Sequence, residues 1–151
     1  MTDVSITEAA GDDDLGAVRG LLMDYGRALD FAICFKGYER EVAALPGLWL
    51  LARQDGEAVG VVGLAAAADG TGGCEMRRLY VRDDRRGSGL GRRLCEAALD
   101  EARRRGYTGM HLETLPSMAA AQALYRSLGF EPVPAGPAGA SDGIIHLTKR
   151  L

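Results

Sequence analysis

The first residues with chemistry to offer are Arg86-Gly87-Ser88-Gly89-Leu90-Gly91. Three glycines alternate between a predicted strand and a predicted helix. Glycine lets the backbone turn sharply and lets a ligand approach it closely. A helix starting at about Gly89 leaves its first N–H groups without intrahelical acceptors. Its dipole adds the equivalent of roughly half a positive charge at that end. A phosphate group suits such a place, and nearby arginines would add charge-assisted contacts. Two phosphate motifs do not fit. A nucleotide-hydrolysing P-loop needs Gly-Lys and then Ser or Thr, whereas Gly91 is followed by Arg92 and Arg93. A dinucleotide fold needs Gly-x-Gly-x-x-Gly after the first strand of a parallel unit. Here the spacing is Gly-x-Gly-x-Gly, late in the chain. Two readings remain from these residues alone: a site for a small anionic ligand, or a turn whose glycines only shape the backbone.

The elements around the turn must hold it in place. Val4 to Glu8 alternates apolar and polar and reads as a strand. Asp12 to Asp14 supply the N-cap and first-turn acids of a helix running to about Leu29. Lys36 to Leu45 reads as a second helix, stopped by Pro46-Gly47. Leu48 to Arg53 and Ala58 to Ala67 are strands joined by Asp55-Gly56, a strong hairpin signal. Cys74 to Arg82 follows as a strand, so the middle of the chain is an antiparallel meander. A helix then spans about Gly89 to Arg105 and is closed by Gly106. Met110 to Leu115 is a strand. Ser117 N-caps a helix from Met118 to Leu128, closed by Gly129. Phe130 to Val133 and Ile144 to Thr148 are the last strands. The loop Pro134 to Ser141 between them is irregular. The expected fold is a mixed α/β sheet with helices on its faces.

Composition sets the limits. A chain of 151 residues suits one domain, residues 1–151. The net charge of −3 argues against a general nucleic-acid binder. Arg77, Arg78, Arg82, Arg85, Arg86, Arg92 and Arg93 nevertheless load the middle with base. A basic patch on an acidic chain suits a small anion better than a long polyanion. No apolar run reaches the about 18 residues of a membrane helix. The N-terminus lacks a basic and then apolar signal, so a cytoplasmic location is expected. Cys34, Cys74 and Cys95 are too few and scattered for a disulfide framework or a zinc knuckle, and no metal is expected. Cys95 falls in an apolar helix stripe and reads as core. His111 and His146 sit among apolar strand neighbours and read as structural, and Trp49 reads as packing.

Longer stretches carry a resemblance. Glu75-Met76-Arg77-Arg78-Leu79-Tyr80-Val81-Arg82 followed by Arg86 to Leu94 resembles the core of the GNAT superfamily of N-acetyltransferases. Arg86, Gly89 and Gly91 match its signature of Arg or Gln, two residues, Gly, one residue, Gly or Ala. Ala121-Gln122-Ala123-Leu124-Tyr125-Arg126-Ser127-Leu128-Gly129-Phe130 resembles its second signature. Glu113-Thr114-Leu115-Pro116-Ser117-Met118 resembles a bacterial subgroup of small members. The resemblance implies a single, mostly antiparallel mixed sheet of six to seven strands with about four helices. It implies an acetyl-CoA-dependent N-acetyltransferase that uses acetyl-CoA as co-substrate and an amine as acceptor. The backbone of Leu79, Tyr80 and Val81 is then expected to bind the pantetheine arm. The N–H groups of Gly87, Ser88, Gly89, Leu90, Gly91 and Arg92 are expected to hold the pyrophosphate. Family members commonly form homodimers, which the sequence neither requires nor opposes.

Acetyl transfer from a thioester needs a deprotonated amine, a donor toward the carbonyl oxygen and an acid for the thiolate. By the resemblance, Tyr125 is the candidate acid and a second contact to the cofactor. A phenol with a pKa of about 10 can protonate a thiolate whose parent thiol lies at about 8.5. Glu75 is the candidate base, at an offset from Val81 where several family members carry a glutamate. Residues 75, 77, 79 and 81 of a regular strand share one face, unless a bulge near Leu79 intervenes. Arg77 and Arg78 compete for Glu75 as ion-pair partners. Glu113, on the neighbouring strand, is its substitute. Where the family often has an asparagine this chain has Met118, and Ser117 is the candidate replacement contact. An amine acceptor would lie among the first two helices and the last strands, near Arg27, Asp30, Phe31, Phe35, Lys36, Tyr38 and Glu39. The alternative to an enzyme is a regulatory module that binds acyl-CoA or an amino acid without turnover.

Overall fold

The computed structural model describes residues 4–29, 35–67, 70–114, 118–133 and 145–151, with backbone alone for 28, 29 and 35–39. The order is β1 (Val4–Glu8), α1 (Gly11–Leu29), α2 (Phe35–Ala44), β2 (Leu48–Gln54), β3 (Glu57–Ala66), β4 (Cys74–Val81), α3 (Leu90–Arg104), β5 (Gly109–Thr114), α4 (Ala119–Ser127), β6 (Glu131–Pro132) and β7 (Ile145–Arg150). The described strands form one sheet in the order β1-β2-β3-β4-β5-β7-β6. Each neighbouring pair is antiparallel except β4 and β5, which run parallel. This is the expected mixed, mostly antiparallel sheet.

Each face of the sheet carries its own core. On one face α3 packs Leu90, Leu94, Cys95, Ala98, Leu99 and Ala102 onto Val62, Met76, Met110 and Leu112, with Tyr125 of α4 and Phe130 beside them. Cys95 and Trp49 are buried, as expected. Burial in this apolar core pushes the Cys95 thiol up to about 12, which leaves it inert as a nucleophile. On the other face, Val18, Leu21 and Leu22 of α1 and Val42 of α2 meet Trp49, Leu51, Val61 and Tyr80.

Local chemistry sets the joints. Asp55 and Gly56 both have positive φ, 54° and 80°, the conformation a type I′ hairpin turn requires. At the end of α3, Gly106 (φ 83°) donates to Arg103 and Tyr107 donates to Ala102, which closes the helix in a Schellman motif. Gly129 and Phe130 repeat the arrangement at the end of α4, donating to Arg126 and Tyr125. The starts of two helices differ from expectation. In α1 no aspartate caps the first residue. Gly11 opens the helix, and Asp14 Oδ2 reaches back to accept the Ala10 N–H at 3.1 Å. Arg53 of β2 donates to the same carboxylate at 2.8 Å and holds its pKa below the ordinary value. In α4 the N-cap is Met118, with no side-chain cap. Ser117 lies outside the described residues, as does the loop Pro134 to Ser141.

One glycine marks how tightly the second core is packed. A Cβ on Gly63 would lie 2.7–3.0 Å from three ring carbons of Trp49. Gly63→Val is therefore expected to cost about 2 kcal/mol through overpacking. Thermal melts should show a Tm lower by about 4–8 °C. An unchanged Tm would mean that the indole has another seat.

Candidate active site

The sheet opens at the parallel pair among its described strands. β4 and β5 are in register at Cys74 with Met110 and at Glu75 with His111, and there the pairing ends. β4 continues to Val81 along β3, and β5 continues to Thr114 along β7. Beyond that point the facing edges of β4 and β5 no longer pair with each other, and backbone groups there require other partners. A ligand with amide groups along its length could supply them, in the manner of an added strand.

A bulge decides which side chains face which way. Val61 pairs with Tyr80 but Gly63 pairs with Arg77, so β4 carries one extra residue there. Arg78 absorbs it, at φ 57°. The alternation of faces is reset across it. Cys74 and Met76 before the bulge, and Leu79 and Val81 after it, all pack on the α3 face, whereas Tyr80 packs against α1. The bulge allowed for near Leu79 is therefore present, and residues 75 and 77 do not share a face with 79 and 81. Glu75 and Arg77 lie on the α1/α2 face with Tyr80, opposite Leu79 and Val81.

At the end of β4 the chain makes a short 3-10 turn, Asp83–Arg85, and reaches the glycines. Gly87 and Gly89 have φ of 82° and 81°, and Gly89 is the N-cap of α3. A Cβ on either would meet no atom within 4 Å, so the space beside them is open. The first helical bond runs from Arg93 to Gly89. The N–H groups of Leu90, Gly91 and Arg92 therefore have no helical acceptor. An anionic group fits this end by charge and by donors. Gly91 sits where three elements meet, its Cβ direction 3.6 Å from Leu124 and 4.0 Å from Val81. Arg92 ties α3 to α4 through Ser127 Oγ at 2.8 Å.

The arginines are less basic a patch than their number suggests. Arg82 is paired with Glu57 and Asp84, and Arg85 with the same two acids. Arg86 pairs with Asp83 at 2.9 Å, donates to the Val81 carbonyl at 3.1 Å and lies over the Tyr80 ring. These three shape the turn. Arg92 and Arg93 bind a hydroxyl and the Val4 carbonyl instead, so they leave net positive charge at the helix start.

Tyr125 lies in the core on the α3 face of the sheet. It is 7% exposed, with its ring edge-on to Phe130 at 6.1 Å. Burial pushes its phenol pKa far up, and the negative charges that Cys95 and Tyr25 would carry push the same way. It is a neutral phenol at any ordinary pH. A thiolate forming in the same dry surroundings would gain basicity from the same desolvation.

The acetyltransferase (GNAT) family matches residues 18–130 of the chain. The chain belongs to this family. It is 32% identical over 138 residues to an uncharacterised N-acetyltransferase of Schizosaccharomyces pombe, covering 86% of this chain and 84% of that one. Its fold superposes on the ribosomal-protein-S18-alanine N-acetyltransferase of Escherichia coli with a TM-score of 0.74 at 26% identity, over 98% and 94% of the two chains. It also superposes on an acetyltransferase of Salmonella typhimurium bound to acetyl-CoA, with a TM-score of 0.72 at 24% identity, over 99% and 94%. This GNAT protein is thus an N-acetyltransferase, and acetyl-CoA-dependent acetyl transfer is its family's chemistry.

In this GNAT domain the opening brings together most of the residues singled out by sequence. Leu79, Tyr80 and Val81 edge it, the turn from Arg86 to Arg92 closes one end, and Tyr125 and Glu75 lie on opposite faces. Side chains 28–39 of the acceptor region are outside the described residues, while Arg27 is described and pairs with Asp24. The α1/α2 face holds residues that the sequence did not single out. Glu41 of α2 is 14% exposed and accepts two bonds from Arg78, at 2.7 and 3.2 Å. Tyr25 stacks obliquely on Tyr80 at 5.5 Å. His111 and His146, expected to be structural singles, approach each other at 3.2 Å, with Glu113 3.9 Å from His146. Their ligand atoms lie within 4.8 Å of one another, a set of donors suited to a divalent ion. Acetyl transfer from a thioester does not call for one. A partner 33 or more residues away leaves no local pattern, so sequence spacing carried no signal for these pairs.

Proposed function

We propose that this chain transfers the acetyl group of acetyl-CoA directly to a primary amine of a small molecule or peptide. The observation that carries the reading is the opening between β4 and β5, with uncapped helix N–H groups at one end and a buried, protonated tyrosine in the core of the α3 face. The pyrophosphate sits at Gly87–Arg92, and the pantetheine amides pair with Leu79–Val81. The acceptor enters from the α1/α2 face. There Glu75, or Glu113 across the opening, takes a proton from the ammonium. The freed nitrogen lone pair forms the N–C bond at the thioester carbonyl. The C–S bond breaks, the departing thiolate takes the Tyr125 proton, and the second proton left on the new amide nitrogen is released to water, from which Tyr125 is reprotonated.

Thiol release from acetyl-CoA, followed with a panel of amines, polyamines, aminoglycosides and peptides, tests the reading. At least one acceptor should give turnover. Acetyl-CoA binding with no turnover on any acceptor would replace it with a binding module. The base is assigned by pH–rate profiles of Glu75→Gln and Glu113→Gln. The variant that lacks the base should lose about 10²-fold or more in kcat/KM. If both variants keep the wild-type profile, neither carboxylate is the base.

A further inference from the structure

We propose that Arg77 anchors a carboxylate on the acceptor, so that the acceptor class is free α-amino acids and close analogues. The inference rests on the reading that the acceptor enters from the α1/α2 face of the opening. Arg77 lies on that face, two residues beyond Glu75 and just past the point where β4 and β5 part.

Arg77 has donors to spare. Its Nε is buried and has no hydrogen-bond partner. Its two amino groups reach Glu41 at 3.5 Å and Glu75 at 3.7 Å. Charge-assisted bonds of this type run to about 2.7–2.9 Å. Glu41 is already engaged by Arg78 at 2.7 and 3.2 Å, which accounts for its loose hold on Arg77. Buried donors in native proteins are almost always satisfied. The two loosely held amino groups, on a side chain 30% exposed beside a candidate base, are thus a place for an acceptor oxygen. A planar carboxylate matches the guanidinium fork in two bonds.

The charges select the ligand further. Glu75 and Arg77 alternate along one strand face, about 7 Å apart at their backbones. A molecule with an ammonium next to a carboxylate presents the complementary pair. A polyamine would leave the Arg77 edge unpaired and meet its positive charge. A peptide N-terminus would present a neutral amide where the carboxylate should be.

The test uses L-methionine, L-phenylalanine and L-glutamate against their α-carboxamides. The expected result in the wild type is a kcat/KM at least about tenfold higher for the acids. Arg77→Met should lower kcat/KM for the acids about 100-fold, mainly through KM, and change the carboxamides by no more than about threefold. Arg77→Lys, which keeps a charge but not the fork, should fall between. Calorimetry with acetyl-CoA should give the same affinity for all three proteins. The inference is overturned if carboxamides serve as well as acids, if Arg77→Met weakens both classes equally, or if other amines are acetylated and no amino acid is. In those cases intact acetyl-CoA binding leaves the acetyltransferase reading standing. Absence of acetyl-CoA binding in the wild type would remove that reading, and this inference with it. The ratio of acid to carboxamide in the wild type decides the matter even if a variant does not fold.

Discussion

Gly89→Val should raise the dissociation constant for acetyl-CoA about 100-fold, a loss of about 2.7 kcal/mol. Two terms make up this figure. Gly89 sits at φ 81°. An L-residue in the left-handed region costs about 1–2 kcal/mol, which the loop can escape only by giving up the shape that aims its N–H groups. A distorted helix start then forfeits part of a charge-assisted hydrogen bond, worth about 1.5–3 kcal/mol. Open space beside Gly89 means the added side chain meets no protein atom at its Cβ. Its bulk is thus directed at the ligand. Gly106 has the same φ, 83°, at the far end of α3. Gly106→Val is the matched control: similar strain, no change in affinity. Calorimetry on both variants checks the pair. A Gly89→Val affinity within threefold of wild type would place the pyrophosphate elsewhere.

Tyr125→Phe should lower kcat by about 10²–10⁴-fold, the range for a lost general acid, while acetyl-CoA affinity changes by only a few fold. The phenylalanine keeps the edge-on contact with Phe130, so the fold should be retained. The pH dependence has a definite sign. The folded-state pKa of Tyr125 is raised above the ordinary tyrosine value by burial. Its contribution to stability is therefore fully present below about pH 10 and is lost as pH rises beyond it. Wild type should lose stability above about pH 10, and Tyr125→Phe should escape that share of the loss. For the same reason, Tyr125 should add no basic limb to the rate profile below about pH 10. Stopped-flow thiol release and alkaline melts measure the two effects. A variant with full turnover would remove Tyr125 from the proton path.

Much of the scaffold can be read from short stretches because local rules suffice there. Asp55-Gly56 reads as a turn because that pair tolerates two positive φ values in succession. Gly106 and Gly129 end helices because a left-handed residue is needed after the last turn. The glycine turn is legible for the same reason. What escapes is set by tertiary context. An arginine has no preference for positive φ, so the bulge allowed for near Leu79 could not be assigned to Arg78 from residue type. The bulge in turn moves Glu75 and Arg77 away from Leu79 and Val81. Glu57, from a different strand, absorbs charge that the run of arginines alone would seem to present. Asp14 caps α1 from inside the helix because Arg53 and the Ala10 N–H share its carboxylate.

The bulge at Arg78 also bears on how the molecule survives without its ligand. A strand edge with unpaired backbone groups is a template for pairing with another chain. β4 parts from β5 in the middle of a sheet, where no charged border strand can shield its edge. An extra residue makes the edge uneven and twists it, so a straight foreign strand cannot stay in register along it. The opening can thus remain available to a small molecule while being a poor seat for a second polypeptide. Deleting Arg78 would smooth that edge, and the predicted price is aggregation as well as misplaced side chains.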